Sequence, residues 1–99
     1  GATVSSPSPT GSLYKGVVTA LSVSVSGAGK VTFFVNDKRI ANCVNLSATF
    51  SGGSYSAVCN WKPAIQGSQV IFAQFKPQSG LAVTSNKTGY WVLKRVGNR

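Results

Sequence analysis

Alternation of apolar and polar residues is the dominant pattern of the chain, and it is clearest over residues 17–26. Every second residue there is apolar or β-branched: Val17, Thr19, Leu21, Val23 and Val25. A period of two places these side chains on one face of an extended strand and excludes a helix. The sequence therefore predicts a strand with one buried face and one solvated face.

Residues 30–36 form a second predicted strand, which a glycine-containing turn at residues 27–29 joins to the first. The polar segment 36–39 that follows is typical of a hairpin tip. Beyond it the chain is expected to return past Cys43. In the second strand, alternation predicts that three side chains point inward: Val31, Phe33 and Val35.

Three later segments complete the pattern. Residues 55–61 form a predicted strand that ends at Pro63, because proline cannot donate to a ladder; its inward phase holds Tyr55, Ala57, Cys59 and Trp61. Residues 69–75 are apolar in both phases, as expected of a central strand or of one with a face covered by a partner. The last predicted strand spans about residues 88–96. No segment repeats apolar residues at helical spacing for more than one turn, so six to eight short strands indicate a β-sandwich.

The length of 99 residues fits one domain. Residues 1–12 have the Ser/Pro/Gly composition of a linker, so we expect a leader there, or an edge strand at residues 2–5, with the sandwich domain over 13–99. No apolar run approaches the roughly 20 residues that span a bilayer. A chain that starts with neither Met nor a signal segment is expected of a mature product or an excised piece.

Two cysteines in a short β-rich chain indicate an oxidising compartment and a Cys43–Cys59 disulfide. Closing a loop of this length contributes roughly 3 kcal/mol of stability by restricting the unfolded chain. The alternative is a pair of buried free thiols.

Most chemistry is excluded by the residues that are missing. The chain has no His and a single acidic residue, Asp37, which rules out a pair of catalytic carboxylates and deprives a Ser or Cys nucleophile of its usual base. Cys43, Cys59 and Asp37 are too few for a zinc or calcium site. The glycine turn at 27–29 lies between two strands rather than before a helix, so it does not cradle phosphate. We expect no catalysis, no metal and no cofactor.

The charge balance is unusual, because ten Lys and Arg residues against one acid give a formal net charge of +9. One interpretation is a surface that attracts polyanions or an acidic partner. The other is a secreted or structural domain whose solvent face is Ser, Thr, Asn and Gln, with scattered lysines that keep it soluble. Arginine is the better donor to carboxylates and phosphates. The predicted contact residues are two at the hairpin tip and three on the terminal strand: Lys38, Arg39, Lys94, Arg95 and Arg99.

Binding of nucleic acid is the alternative function. The segment 90–95 places two aromatic residues beside Lys94 and Arg95, which suits base stacking and phosphate neutralisation. Small basic barrels of the OB type bind nucleic acid at comparable length. Such barrels carry a helix after the third strand, however, and the present pattern predicts none.

Two segments carry a family resemblance. Gly29-Lys30-Val31-Thr32-Phe33, followed by the polar turn at 36–38, resembles the G-x-V-x-F motif of bacterial Ig-like repeat domains. Residues 67–75 resemble a later strand of that family, with Phe75 where Tyr is usual. Cys43 and the segment 59–63 resemble its cysteine-bearing variant. The resemblance covers residues 13–99 and implies an all-β fold, an Ig-like β-sandwich of about seven antiparallel strands.

Members of that family serve as spacers, stalks and adhesive modules on bacterial envelopes, and Ig-like domains also decorate phage tails and capsids. The resemblance thus implies a non-catalytic structural or adhesive module on an extracellular surface, either an envelope repeat or a virion decoration protein. The expected partners are neighbouring repeats, capsid or tail subunits, a further copy of the chain, or acidic surface glycans. This chain departs from the family in being a single copy and in lacking the acidic residues of calcium-stiffened linkers.

Overall fold

The computed structural model describes residues 2–94, and these contain eleven β-strands. This confirms the predicted all-β class. Arg95 and Arg99, two of the predicted contact residues, lie outside the described residues, as does Val96, the expected end of the last strand. Within residues 2–94 no helix of membrane-spanning length and hydropathy is found. The strands are β1 (Ser8–Pro9), β2 (Leu13–Tyr14), β3 (Thr19–Val25), β4 (Gly29–Val35), β5 (Lys38–Arg39), β6 (Leu46–Ser47), β7 (Thr49–Ser51), β8 (Ser54–Trp61), β9 (Gly67–Pro77), β10 (Val83–Thr84) and β11 (Thr88–Leu93).

Two sheets face each other. The smaller has the order β1-β3-β8-β7, and the larger has the order β2-β11-β9-β4-β5, with β6 also paired to β4 and β10 also paired to β9. The pairs are antiparallel except β2 and β11, which run parallel. The structure therefore differs from the expected seven or so antiparallel strands in the number of strands and in the direction of one pair. The reason for the count is that both flanks of the β4–β9 pair are broken into short strands.

The core lies between the sheets, where the predicted alternation holds. From β3, Leu21, Val23 and Val25 are buried, and from β4, Val31 and Phe33 are fully buried. The strand predicted over 17–26 begins two residues later than expected. Its start is displaced because the chain turns just before it, at Gly16 (φ 79°), where the N–H of Val17 donates to the carbonyl of Tyr14 at 3.1 Å.

The longest strand, β9, lies in the middle of the larger sheet, as its apolar residues in both phases predict. Ile71, Ala73 and Phe75 point into the core and are fully buried. On the side of β9 away from β4, β10 and β11 follow one another along the same edge. They are separated at Ser85, whose Oγ accepts from the N–H of Ala73 at 2.9 Å.

The disulfide crosses from one sheet to the other. Between β5 and β6 the chain bulges along the edge of β4: the N–H of Ile40 donates to the carbonyl of Phe33, and the N–H of Phe33 donates to the carbonyl of Cys43. Cys43 is buried there and bonded to Cys59 of β8. The predicted bridge is confirmed, and the alternative of two free thiols is excluded. This bulge also explains why the returning segment pairs with β4 as two short strands, Lys38–Arg39 and Leu46–Ser47, where the sequence suggests one.

Residues 2–12 lie along the sandwich. Val4 forms a bridge with Val25, and β1 then pairs with β3 in the smaller sheet. Pro7 is buried, and its carbonyl accepts from the hydroxyl of Tyr90 at 2.7 Å. A few residues on, β2 pairs with β11, so the chain changes from one sheet to the other.

Candidate cationic interface

Charge is distributed unevenly between the two sheets. Within the described chain, the four strands of the smaller sheet contain no charged residue, and their outward positions are mostly serine. The strands of the larger sheet carry four exposed cations: Lys30, Lys38, Arg39 and Lys76. The basic residues are therefore not evenly scattered, and the outward face of the larger sheet is electropositive.

One row of side chains runs straight across this face. Phe34 of β4 lies opposite Phe72 of β9 on one side and Arg39 of β5 on the other. The two phenyl rings stack with centroids 4.7 Å apart and 2° between their planes. The ammonium of Lys87 lies 5.1 Å from the centroid of the Phe72 ring, a distance at which a cation is attracted to the ring face. A stacked aromatic pair thus stands between two cations.

Lys87 also makes an ion pair with Asp37, at 3.3 Å between Nζ and Oδ1. Both side chains are more than half exposed, so the pair contributes at most about 1 kcal/mol. Asp37 is the single acidic residue of the sequence. Because the Asp37 carboxylate is paired with Lys87 at this end of the face, no acidic side chain neutralises the cations at the other end.

The hairpin tip that presents Arg39 is fixed by its own polar contacts. Asn36 (φ 50°) and Asp37 (φ 66°) adopt the left-handed conformation that two-residue hairpin loops require. The Nδ2 of Asn36 donates to the Oε1 of Gln69 at 2.6 Å, and its Oδ1 accepts from the N–H of Val70 at 2.9 Å. The tip is therefore anchored to β9, and β5 leaves it in a defined register.

A second cationic row lies four residues further along the strands, or about 13 Å away. It consists of Lys30 of β4 and Lys76 of β9, which are directly opposite each other. The ammonium of Lys30 donates to the Oγ of Ser47 at 2.6 Å. We call the surface that carries both rows the cationic face, and its charged residues are Lys30, Arg39, Lys76 and Lys87.

An exposed tryptophan shares this side of the sheet. Trp91 lies opposite Ser68 and is 66% exposed, whereas its neighbour Val92 points inward and is fully buried. Val70 and Leu93 add exposed apolar surface nearby in the sheet. A flat, exposed indole is suited to stack on a sugar ring or a base.

The predicted contact residues are only partly brought together. Lys38 and Arg39 form β5 and line a cleft of about 350 Å³ with Trp61 and Lys62. Lys94 is exposed at the end of β11, and β9 and β4 separate that strand from β5. Sequence reasoning missed three residues of the cationic face: Lys30, Lys76 and Lys87. The outward phase of Lys30 and Lys76 was visible in the sequence, but their pairing was not.

The arrangement of cations can hold anions. No group of three or more metal-ligating side chains occurs in residues 2–94. The exposed lysines are point-charge donors, while the guanidinium of Arg39 can form two parallel hydrogen bonds to a carboxylate or sulfate.

No protein-family model and no curated protein sequence matches the chain. One solved structure that matches is of the Clostridium thermocellum CbhA fibronectin(III)-like modules. It is 18% identical, with a TM-score of 0.64 over 93% of this chain and 98% of that chain. The likeness shows a fibronectin(III)-like fold, which is an Ig-like β-sandwich, and so confirms the predicted architecture.

Proposed function

We propose that this chain is a non-catalytic adhesive module displayed outside the cytoplasm, as an envelope repeat or a virion decoration protein, and that it attaches to acidic glycans through the cationic face. The observation that carries the proposal is the segregation of charge. The strands of one sheet are neutral and rich in serine, while the strands of the other bear the cations. A cationic surface concentrates polyanions near it and raises their rate of association.

The disulfide supports the extracellular part of the proposal. Bridges of this kind persist in oxidising compartments and are rare in the cytosol. The fibronectin(III)-like architecture is that of a structural or binding module, and the strand motifs of residues 29–38 and 67–75 resemble those of bacterial Ig-like repeats. A rigid sandwich of this kind presents a fixed face to its partner.

The aromatic residues favour a glycan over single-stranded nucleic acid. A base needs a free ring face on which to stack, but Phe72 is only 9% exposed and lies between Phe34 and Lys87. Trp91 is the one large exposed ring on this side of the described sheet. A single exposed ring on the same side of the sheet as the cations suits a charged sugar, whereas binding of a nucleic-acid strand uses successive rings.

The experiment measures affinity for a heparin hexasaccharide, for hexagalacturonate and for a single-stranded oligonucleotide of similar charge. The variant Arg39→Gln/Lys87→Gln removes two charges from the cationic face, and the control Lys15→Gln removes one charge away from it. We expect the first variant to weaken binding to either glycan about five- to tenfold and the second by about twofold at most. Binding should also weaken steeply as salt is added, because exposed charges are screened.

Tighter binding of the oligonucleotide than of both glycans would contradict the proposal and favour the nucleic-acid alternative. Equal losses per charge removed in the two variants would show that only net charge matters. Two observations distinguish an envelope repeat from a virion decoration protein. A repeat is flanked by similar copies in its gene, whereas a decoration protein binds particles in symmetric multiples.

A further inference from the structure

A cleft of about 540 Å³ lies at the end of the cationic face, where β4, β6 and β9 meet. Lys30 and Lys76 form part of its wall, and polar side chains of Asn45, Ser47 and Gln78 line the rest together with backbone of neighbouring residues. Volumes of this order accommodate small-molecule groups such as one sugar ring. We call it the Lys30–Lys76 cleft.

The backbone around the cleft is tightly built. The carbonyl of Gly29 accepts from the N–H of Ala48 at 2.9 Å, and the N–H of Gln78 donates to the carbonyl of Ala28 at 3.2 Å. A Cβ on Gly29 would overlap the carbonyl oxygen of Lys76 and would lie 2.8 Å from the Cα of Pro77. The two lysines are therefore carried by strands in close, fixed register.

Two like charges directly opposite each other on a sheet destabilise it. Lys30 and Lys76 are such a pair, and the single acidic side chain of the sequence is seven residues from Lys30, or about 23 Å along an extended strand. The repulsion is unrelieved by any Asp or Glu. An anion held between the two ammonium groups would convert this unfavourable pair into a favourable one.

We infer that the Lys30–Lys76 cleft binds one carboxylate or sulfate group of the acidic glycan, an inference that rests on the proposed function. The Lys30 ammonium already donates to the Ser47 hydroxyl, which leaves the hydroxyl proton free to point to a ligand oxygen. The two ammonium groups and this hydroxyl supply donors of the kind that an anionic oxygen needs. The sugar ring occupies the remaining volume, beside the aliphatic surface of Pro77.

The test is a backbone NMR titration of the whole chain with hexagalacturonate, with a heparin hexasaccharide and with inorganic sulfate. Lys30→Gln/Lys76→Gln is compared with the charge-matched Lys15→Gln/Lys62→Gln, and thermal melts establish that both are folded. We expect shifts at Gly29, Ala48 and Gln78 in the unmodified chain. The first variant should bind the better glycan about tenfold more weakly or worse, and the second within about threefold.

A loss of affinity for hexagalacturonate, which carries only carboxylates, identifies the bound group as a carboxylate. A loss confined to heparin, which carries both groups, identifies it as a sulfate. Equal losses in the two variants, with shifts spread over the sheet, would overturn the cleft while the cationic face still bound glycan. Shifts with inorganic sulfate alone would overturn the glycan as occupant. Absence of any glycan binding by the unmodified chain would overturn the proposed function itself, whatever the cleft does with sulfate.

Discussion

Removing the disulfide should lower stability by an amount that the loop length sets. Cys43 and Cys59 are separated by 16 positions, and closing a loop of that size in the unfolded chain contributes about 3 kcal/mol. A domain of this length unfolds with an entropy of about 0.2 kcal/mol/K, so the melting temperature should fall by about 15 °C. Both cysteines are buried, so the variant Cys43→Ala/Cys59→Ala loses packing as well and should fall at least this far.

The assay is thermal unfolding followed by circular dichroism, with and without a thiol reductant. Reductant should lower the melting temperature of the unmodified chain, and it should leave the Cys43→Ala/Cys59→Ala variant unchanged. The reduced chain preserves the side-chain atoms of both residues, so the fall in its melting temperature isolates the effect of the covalent link. The difference between the reduced chain and the alanine variant then measures packing.

A fall of less than about 3 °C on complete reduction would refute the reasoning. It would mean that the unfolded chain is already compact around this loop, or that the native sandwich is held by the sheets alone. Free-thiol titration on the same samples establishes that reduction was complete.

Three other substitutions probe the sandwich, each measured by urea unfolding. Gly29→Ala should cost about 1–3 kcal/mol or more, because its Cβ would overlap backbone of β9, while Gly27→Ala, with open space around it, should cost under about 0.5 kcal/mol; equal losses would contradict the close approach. Phe33→Ala should cost about 3–5 kcal/mol and the exposed Phe50→Ala under about 1 kcal/mol, and a reversed order would contradict the assigned core. Asn36→Ala should cost about 1–3 kcal/mol, because it leaves the Oε1 of the buried Gln69 without its donor, and a neutral result would show that water replaces the amide.

Strand alternation predicted the parts of the fold that have one well-buried face. β3 and β9 follow this rule, since a one-residue shift would turn Leu21 or Ile71 out of the core. The short strands on the flanks were not predictable in the same way. β6 is only two residues long, and its pairing with β4 depends on where the chain returns after Cys43 has entered the core.

The candidate site was predictable only where it is local in sequence. The consecutive polar residues of the hairpin tip indicated that Arg39 is exposed, and the structure places it in β5, directly after the two-residue loop. Lys87 reaches Asp37 from 50 positions away, and Lys30 meets Lys76 through the register of β4 and β9. Such contacts depend on tertiary pairing, which residue periodicity does not encode.

The parallel pairing of β2 with β11 has a mechanical consequence for a module that is tethered at both ends. These strands lie side by side near the two ends of the described chain, joined through Leu13, Tyr14, Val92 and Leu93. Once the pairing of residues 4–9 with β3 has been pulled apart, tension applied to the ends loads the hydrogen bonds between β2 and β11 together, in shear, instead of opening them one after another as in a peeled hairpin. If the sandwich does give way, the covalent link between Cys43 and Cys59 keeps the segment between them from lengthening.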